Sequence, residues 1–145
     1  LEHRRQRQMC IRDSFGGAQL RPNLHIQDYS EACQLLIRAP EEKVRKQIFN
    51  CGYENLTILE IAEIVKEIID KETYNIKIKI EDSDDLRSYH INSDKIKNDL
   101  NFVPKRNVKF AVDELCESFK KGLLPNSLDD DRYYNVRTMK KIKAV

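Results

Sequence analysis

The chain has 145 residues, 40% hydrophobic and 34% charged, with 26 Lys and Arg against 24 Asp and Glu for a net charge of +2. That length suits one domain or part of a larger one, and its apolar share can bury a core, which excludes a chain disordered throughout. No apolar run approaches the roughly 18 residues of a membrane helix. The cysteines at positions 10, 33, 51 and 116 show neither a disulfide framework nor C-x-x-C metal spacing, so reduced thiols in a cytoplasmic protein are expected.

Residues 1–14 hold Arg4, Arg5, Arg7 and Arg12 against Glu2 and Asp13, and this surplus of two is the whole net charge of the chain. The stretch has no apolar periodicity and no signal-peptide core. Its Met9-Cys10-Ile11-Arg12-Asp13-Ser14 string resembles translated sequencing-adapter read-through, so 1–14 reads as a foreign or disordered basic arm. The remaining 131 residues balance, with 22 basic and 22 acidic side chains, which argues against nucleic acid as a partner of the folded part.

From Phe15 the pattern becomes orderly. Gly16-Gly17 marks a turn, and Arg21 is held extended by Pro22. Leu24 and Ile26 alternate with His25 and Gln27 as a short strand. Asp28 or Ser30 can cap a helix carrying Ala32, Cys33, Leu35, Leu36 and Ile37, which Pro40 stops. Ile48 to Cys51 reads as a short buried strand closed by Gly52. Thr57 and Glu60 form a capping box on a helix whose inner face is Ile58, Ile61, Ala62, Ile64, Val65, Ile68 and Ile69. Asn75 to Glu81 alternates as a strand, and Tyr89 with Ile91 suggests another. Ser93 caps a short helix through Ile96 and Leu100, broken at Val103-Pro104. An amphipathic helix from Val108 to Lys121 ends at Gly122. A mixed-charge tail over 123–145 includes a short helix and can fold back through Tyr133, Tyr134, Val136 and Met139. The class is α/β, with short strands and amphipathic helices.

Complete catalytic motifs are absent from the sequence. Its glycines, at 16, 17, 52 and 122, cannot spell G-x-G-x-x-G or a P-loop. No tyrosine has a lysine four residues on, and His3, His25 and His90 do not cluster. Acid pairs such as Asp84-Asp85 read as solvated loop charges. Two segments do suit ligand handling. Arg21 sits beside a proline-stiffened turn between Gln19 and His25, and Arg87 lies on a loop entering a strand; a guanidinium fork held this way matches an oxyanion such as phosphate.

Five strings, in order, carry a resemblance. They are R-P-x-L-H-I-x-D from Arg21, I-F-N-x-G from Ile48, T-x-x-E-I-A from Thr57, R-S-Y-x-I-x-x-x-K-I-x-x-x-L-x-F-x-P from Arg87, and Tyr133-Tyr134-Asn135-Val136-Arg137. Together they resemble the C-terminal, substrate-binding half of the NAD-dependent nucleotide-sugar epimerase/dehydratase family, the extended short-chain dehydrogenases. The resemblance implies a substrate-binding portion over 15–122, with 28–52 packing on an NAD-binding Rossmann domain that lies outside this chain and strand Ile48–Asn50 extending that domain's sheet. Without that sheet Ile48 and Phe49 lose burial worth about 1.5–3 kcal/mol each. It implies NAD as cofactor of the full-length parent and none bound here, catalytic residues upstream, and a nucleotide-diphosphate sugar held by Arg21 and Arg87 with Gln19 and His25 alongside. Asp28 is expected as a helix cap rather than a ligand. A homodimer is possible in the full-length form, and no metal or membrane is implied. Two alternatives stay open: a non-enzymatic nucleotide-sugar-binding module, and a nucleic-acid-associated protein acting through the basic arm.

Overall fold

The computed structural model describes residues 11–13, 17–71, 76–80 and 87–143. They divide into two units, Leu1–Asp113 and Glu114–Val145. Among its described residues the first unit holds four short strands in two pairs. Strand β1 (Ile11–Asp13) pairs in parallel with β4 (Ile78–Ile80), and β2 (Leu20–Asn23) pairs antiparallel with β3 (Glu54–Thr57), Arg21 opposite Leu56. Helix α3 (Ile58–Asp70) packs against β1, β3 and β4. Its start is the expected capping box. Thr57 Oγ1 accepts from the Glu60 amide at 3.1 Å and Glu60 Oε2 accepts from the Thr57 amide at 2.7 Å, satisfying two N–H groups that a helix N-terminus leaves unpaired. Ala62 and Ile68 are its most buried residues, on the face the periodicity assigned.

A second apolar centre lies under α1 (Ile26–Arg38) and α4 (Asp94–Leu100). Ala32, Ile96 and Phe102 form it, with Leu35, Phe49, Cys51 and Leu100 packed around them. Ile96 is 1% exposed, a burial worth about 1.5–3 kcal/mol. Asn101 takes a left-handed conformation (φ 53°) that ends α4. The short α2 (Glu41–Val44) follows Pro40, which stops α1 as expected.

Several elements differ from the sequence reading. The strand around Leu24 and Ile26 sits earlier: β2 covers Leu20–Asn23, and Ile26 already opens α1. Neither Asp28 nor Ser30 caps that helix. His25 does, its Nδ1 accepting from the Gln27 amide at 3.2 Å, while Ser30 donates to the Ile26 carbonyl. Ile48 to Cys51 forms no strand, because nothing among the described residues pairs with it; Ile48 is 83% exposed, whereas Phe49 keeps its place against the core. Tyr89 and Ile91 run extended but outside any strand. Ser93 precedes α4 without capping it, since its hydroxyl accepts from the Gly52 amide at 2.8 Å and Asn92 Oδ1 takes the Asp94 amide instead. Part of the basic arm, Ile11–Asp13, belongs to the β1–β4 pair. The acidic stretch 81–85 and most of the arm lie outside the described residues.

Helix α5 (Val108–Lys120) gives way to Gly122, whose φ of 66° suits a residue without Cβ. The second unit holds a 3-10 turn at Asp131–Tyr133 and helix α6 (Asn135–Lys141). Thr138 Oγ1 donates to the Asp131 carbonyl at 2.6 Å and Arg137 lies 4.0 Å over the Tyr134 ring. Tyr133, Val136 and Met139 are exposed. Among the described residues no helix is long and apolar enough to cross a membrane.

Candidate functional site

Strand β2 has two edges. One pairs with β3; along the other runs the extended segment 87–91. The Tyr89 amide donates to the Leu20 carbonyl at 3.0 Å, and Ser88 Oγ accepts the Leu20 amide at 3.0 Å. A continuous ladder stops there because Pro22 has no N–H to give. Asn55, opposite Pro22 on β3, supplies the next link through its side chain. Its carboxamide donates to the Ile91 carbonyl and accepts from the Ile91 amide, both at 3.0 Å. A primary amide offers one donor edge and one acceptor, so it replaces a peptide unit in the ladder.

This arrangement brings Arg21 and the Arg87 segment together. Both hydrogen bonds of the Arg21 guanidinium use Nη1, to the Leu20 carbonyl at 2.9 Å and the Arg87 carbonyl at 2.8 Å. The group lies 5.3 Å from the centre of the Tyr89 ring. A guanidinium has five N–H donors, and the three on Nε and Nη2 make no bond among the described residues. Arg21 is half-buried and has no carboxylate partner among the described residues, a state that suits it to an oxyanion.

Gln19 and His25 sit differently. The Gln19 carbonyl accepts from the Ile58 amide at 3.1 Å, joining the start of β2 to the start of α3. His25 caps α1, meets the Phe110 ring edge-on at 5.5 Å, and lines a cavity of about 230 Å³ with Asn23, Glu54, Arg106 and Asn107. Arg21 and Arg87 do not line that cavity. A second cavity of about 360 Å³ opens between Gly52, Tyr53, His90 and Lys97.

Asp28 is the residue whose role the sequence concealed. At the third position of α1 it is fully buried, and its Oδ2 accepts from the backbone amides of Lys105 at 3.0 Å and Arg106 at 2.8 Å. Its Oδ1 pairs with the Arg106 guanidinium, which also reaches Glu31 at 3.1 Å. Burial pushes the carboxyl up, but the Arg106 and Lys105 amides and then the Arg106 side chain outweigh it and hold it below the usual aspartate range. Asp28 is thus a structural anion that staples α1 to the segment 105–106. Burial first, then Asp28 and Cys33, push the Cys51 thiol up, away from the thiolate form.

A Cβ at Gly17 would meet Leu59 Cβ at 3.0 Å, one at Gly52 would meet Ile91 Cδ1 at 2.6 Å, and Gly122 faces open space. Among the described residues no cluster of His, Cys, Asp and Glu could hold a metal ion.

No protein-family model matches the chain, and no curated protein does. Solved structures do. The dTDP-glucose 4,6-dehydratase of Bacillus anthracis, solved in complex with NAD, superposes with a TM-score of 0.62 at 22% identity over 83% of this chain and 36% of its own. L-threonine dehydrogenase from Clostridium difficile gives 0.61 at 17% identity, over 76% of this chain and 35% of its own. The enzyme of that name from Phytophthora infestans gives 0.60 at 15% identity, over 74% and 35%. The chain therefore spans about a third of the length of the structures it matches. Among the described residues its fold is α/β, with short strands and six helices, and it matches about a third of each of these chains.

Proposed function

We propose that this chain is the substrate-binding portion of an NAD-dependent nucleotide-sugar epimerase or dehydratase, in which Arg21 and Arg87 hold the nucleotide diphosphate. One observation carries the reading: Arg21 is fastened through Nη1 to the Arg87 segment, with its other three N–H groups left for an acceptor. Two parallel charge-assisted bonds from one planar fork are what a phosphate oxygen pair accepts. NAD and the groups that move hydride and proton belong, on this reading, to an NAD-binding part outside residues 1–145. That part would cover Ile37 and Ile48, each 83% exposed, which accounts for the segment 28–52 showing apolar side chains to solvent.

The test is calorimetric titration of the chain with UDP-glucose, dTDP-glucose and pyrophosphate. Binding is expected for all three, and Arg21→Ala should weaken it by roughly 10- to 150-fold, the loss of a charge-assisted contact of about 1.5–3 kcal/mol. Binding untouched by that substitution would remove the diphosphate grip. A second reading, an amino-acid dehydrogenase, is favoured by the structural likeness to L-threonine dehydrogenases. L-threonine binding without pyrophosphate binding would select it.

A further inference from the structure

We infer that Tyr89 is a positioning residue for Arg21: its ring and the Arg87 carbonyl together fix the guanidinium so that Nε and Nη2 face an incoming oxyanion. The inference rests on the diphosphate reading of Arg21. It deepens that reading by naming the group that sets the arginine's direction.

An arginine on a short strand has several rotatable bonds, and one hydrogen-bonded nitrogen leaves the fork free to swing. Two constraints act here at different points of the group. Nη1 is tied to the Leu20 and Arg87 carbonyls at 2.9 and 2.8 Å, and the guanidinium carbon lies 5.3 Å from the Tyr89 ring centre, within reach of a cation–π contact. Tyr89 is itself held in place, because its amide donates to Leu20 and its neighbour Ser88 accepts from Leu20. The ring therefore moves with the β2 backbone that carries Arg21. Tyr89 is 50% exposed, so packing against a core does not account for its position. The ring satisfies the cation without taking an N–H, whereas a carboxylate in its place would occupy the donors a phosphate needs. A fork fixed before binding also loses less freedom when the anion arrives.

The experiment uses the isotopically labelled 145-residue chain. Arg21→Lys assigns the Nε–Hε resonance of Arg21 by its disappearance. Unliganded wild-type protein should show cross-relaxation between that proton, or the adjacent methylene protons, and the Tyr89 ring, with a ring-current displacement. Tyr89→Leu should abolish the displacement and speed exchange of the Nε proton; Tyr89→Phe should keep both features. Affinity for pyrophosphate should fall about two- to fivefold in Tyr89→Leu, the weight of an exposed cation–π contact, and recover in Tyr89→Phe. An Arg21 resonance indifferent to Tyr89→Leu, or no contact to the ring in the wild type, overturns the inference. So does equal weakening by Phe and Leu. If Tyr89→Leu fails to fold, the wild-type contact and the Phe variant still decide. Ring-dependent order at Arg21 in a chain that binds no pyrophosphate would sustain the positioning role and defeat the diphosphate reading, which keeps the two failures apart.

Discussion

Replacing Asp28 by Ala tests whether the first unit is held by a buried carboxylate. Three bonds end on that side chain: two from the backbone amides of Lys105 and Arg106 and one from the Arg106 guanidinium. Removal leaves two N–H groups facing an apolar gap, each costing about 1–3 kcal/mol when unpaired. The guanidinium is better off, since Glu31 still reaches it at 3.1 Å. The expected loss is about 3–5 kcal/mol, a large share of the roughly 5–15 kcal/mol that holds a domain together. Asp28→Asn keeps a carbonyl for the amides and should lose about 2 kcal/mol. Urea unfolding at neutral pH, followed by circular dichroism, measures both. The pair Asp28→Leu with Arg106→Met separates the ionic from the backbone contribution. It removes both charges but still strands the two amides, so most of the loss should persist. A double variant within 1 kcal/mol of the wild type would show that the ion pair, and not the amide anchoring, is what matters. The pH dependence has a definite sign. A carboxyl held below its unfolded value contributes fully above that value and loses the contribution as pH falls through the folded one. Wild-type protein should therefore shed stability on the acid side of the aspartate range, and Asp28→Asn should flatten that slope.

Two further outcomes concern local order. Thr57→Ala removes the acceptor of the Glu60 amide and should cost about 1 kcal/mol in urea unfolding, with Thr57→Ser restoring most of it. Asn55→Leu severs both links to Ile91, so amide exchange at Ile91 should quicken by roughly 30-fold, about 2 kcal/mol of local opening, while the β2–β3 amides change far less.

What could be read from the sequence followed from local rules. The capping box at Thr57, the inner face of α3, the stop at Pro40 and the left-handed close at Gly122 each depend on a few neighbouring residues, and each stands as expected. The misassignments share another cause. Asp28 has the chemistry of a cap, but its partner is 78 residues away, and no local pattern announces Arg106. Ser93 has a cap's position, yet Gly52 claims its hydroxyl from 41 residues away. Ile48–Cys51 has a strand's composition without a partner among the described residues to pair with. Arg21 and Arg87 were nameable from their motifs, whereas the Asn55 carboxamide that ties their segments together sits in a string with no motif around it.

The span of the Asp28–Arg106 contact also orders events in folding. Closing a free loop of that length from the unfolded chain costs about 4 kcal/mol beyond a constant, before any of the three bonds on Asp28 contributes. Pairing β2 with β3 and then seating 87–91 shortens the remaining loop to about a dozen residues, between Ser93 and Arg106, and cuts that cost to about 2 kcal/mol. The carboxylate therefore finds its amides late, after the chain around it is already arranged. On that order of events Asp28→Ala is expected to raise the unfolding rate more than it lowers the folding rate, so stopped-flow kinetics should read the carboxylate in the lifetime of the folded unit.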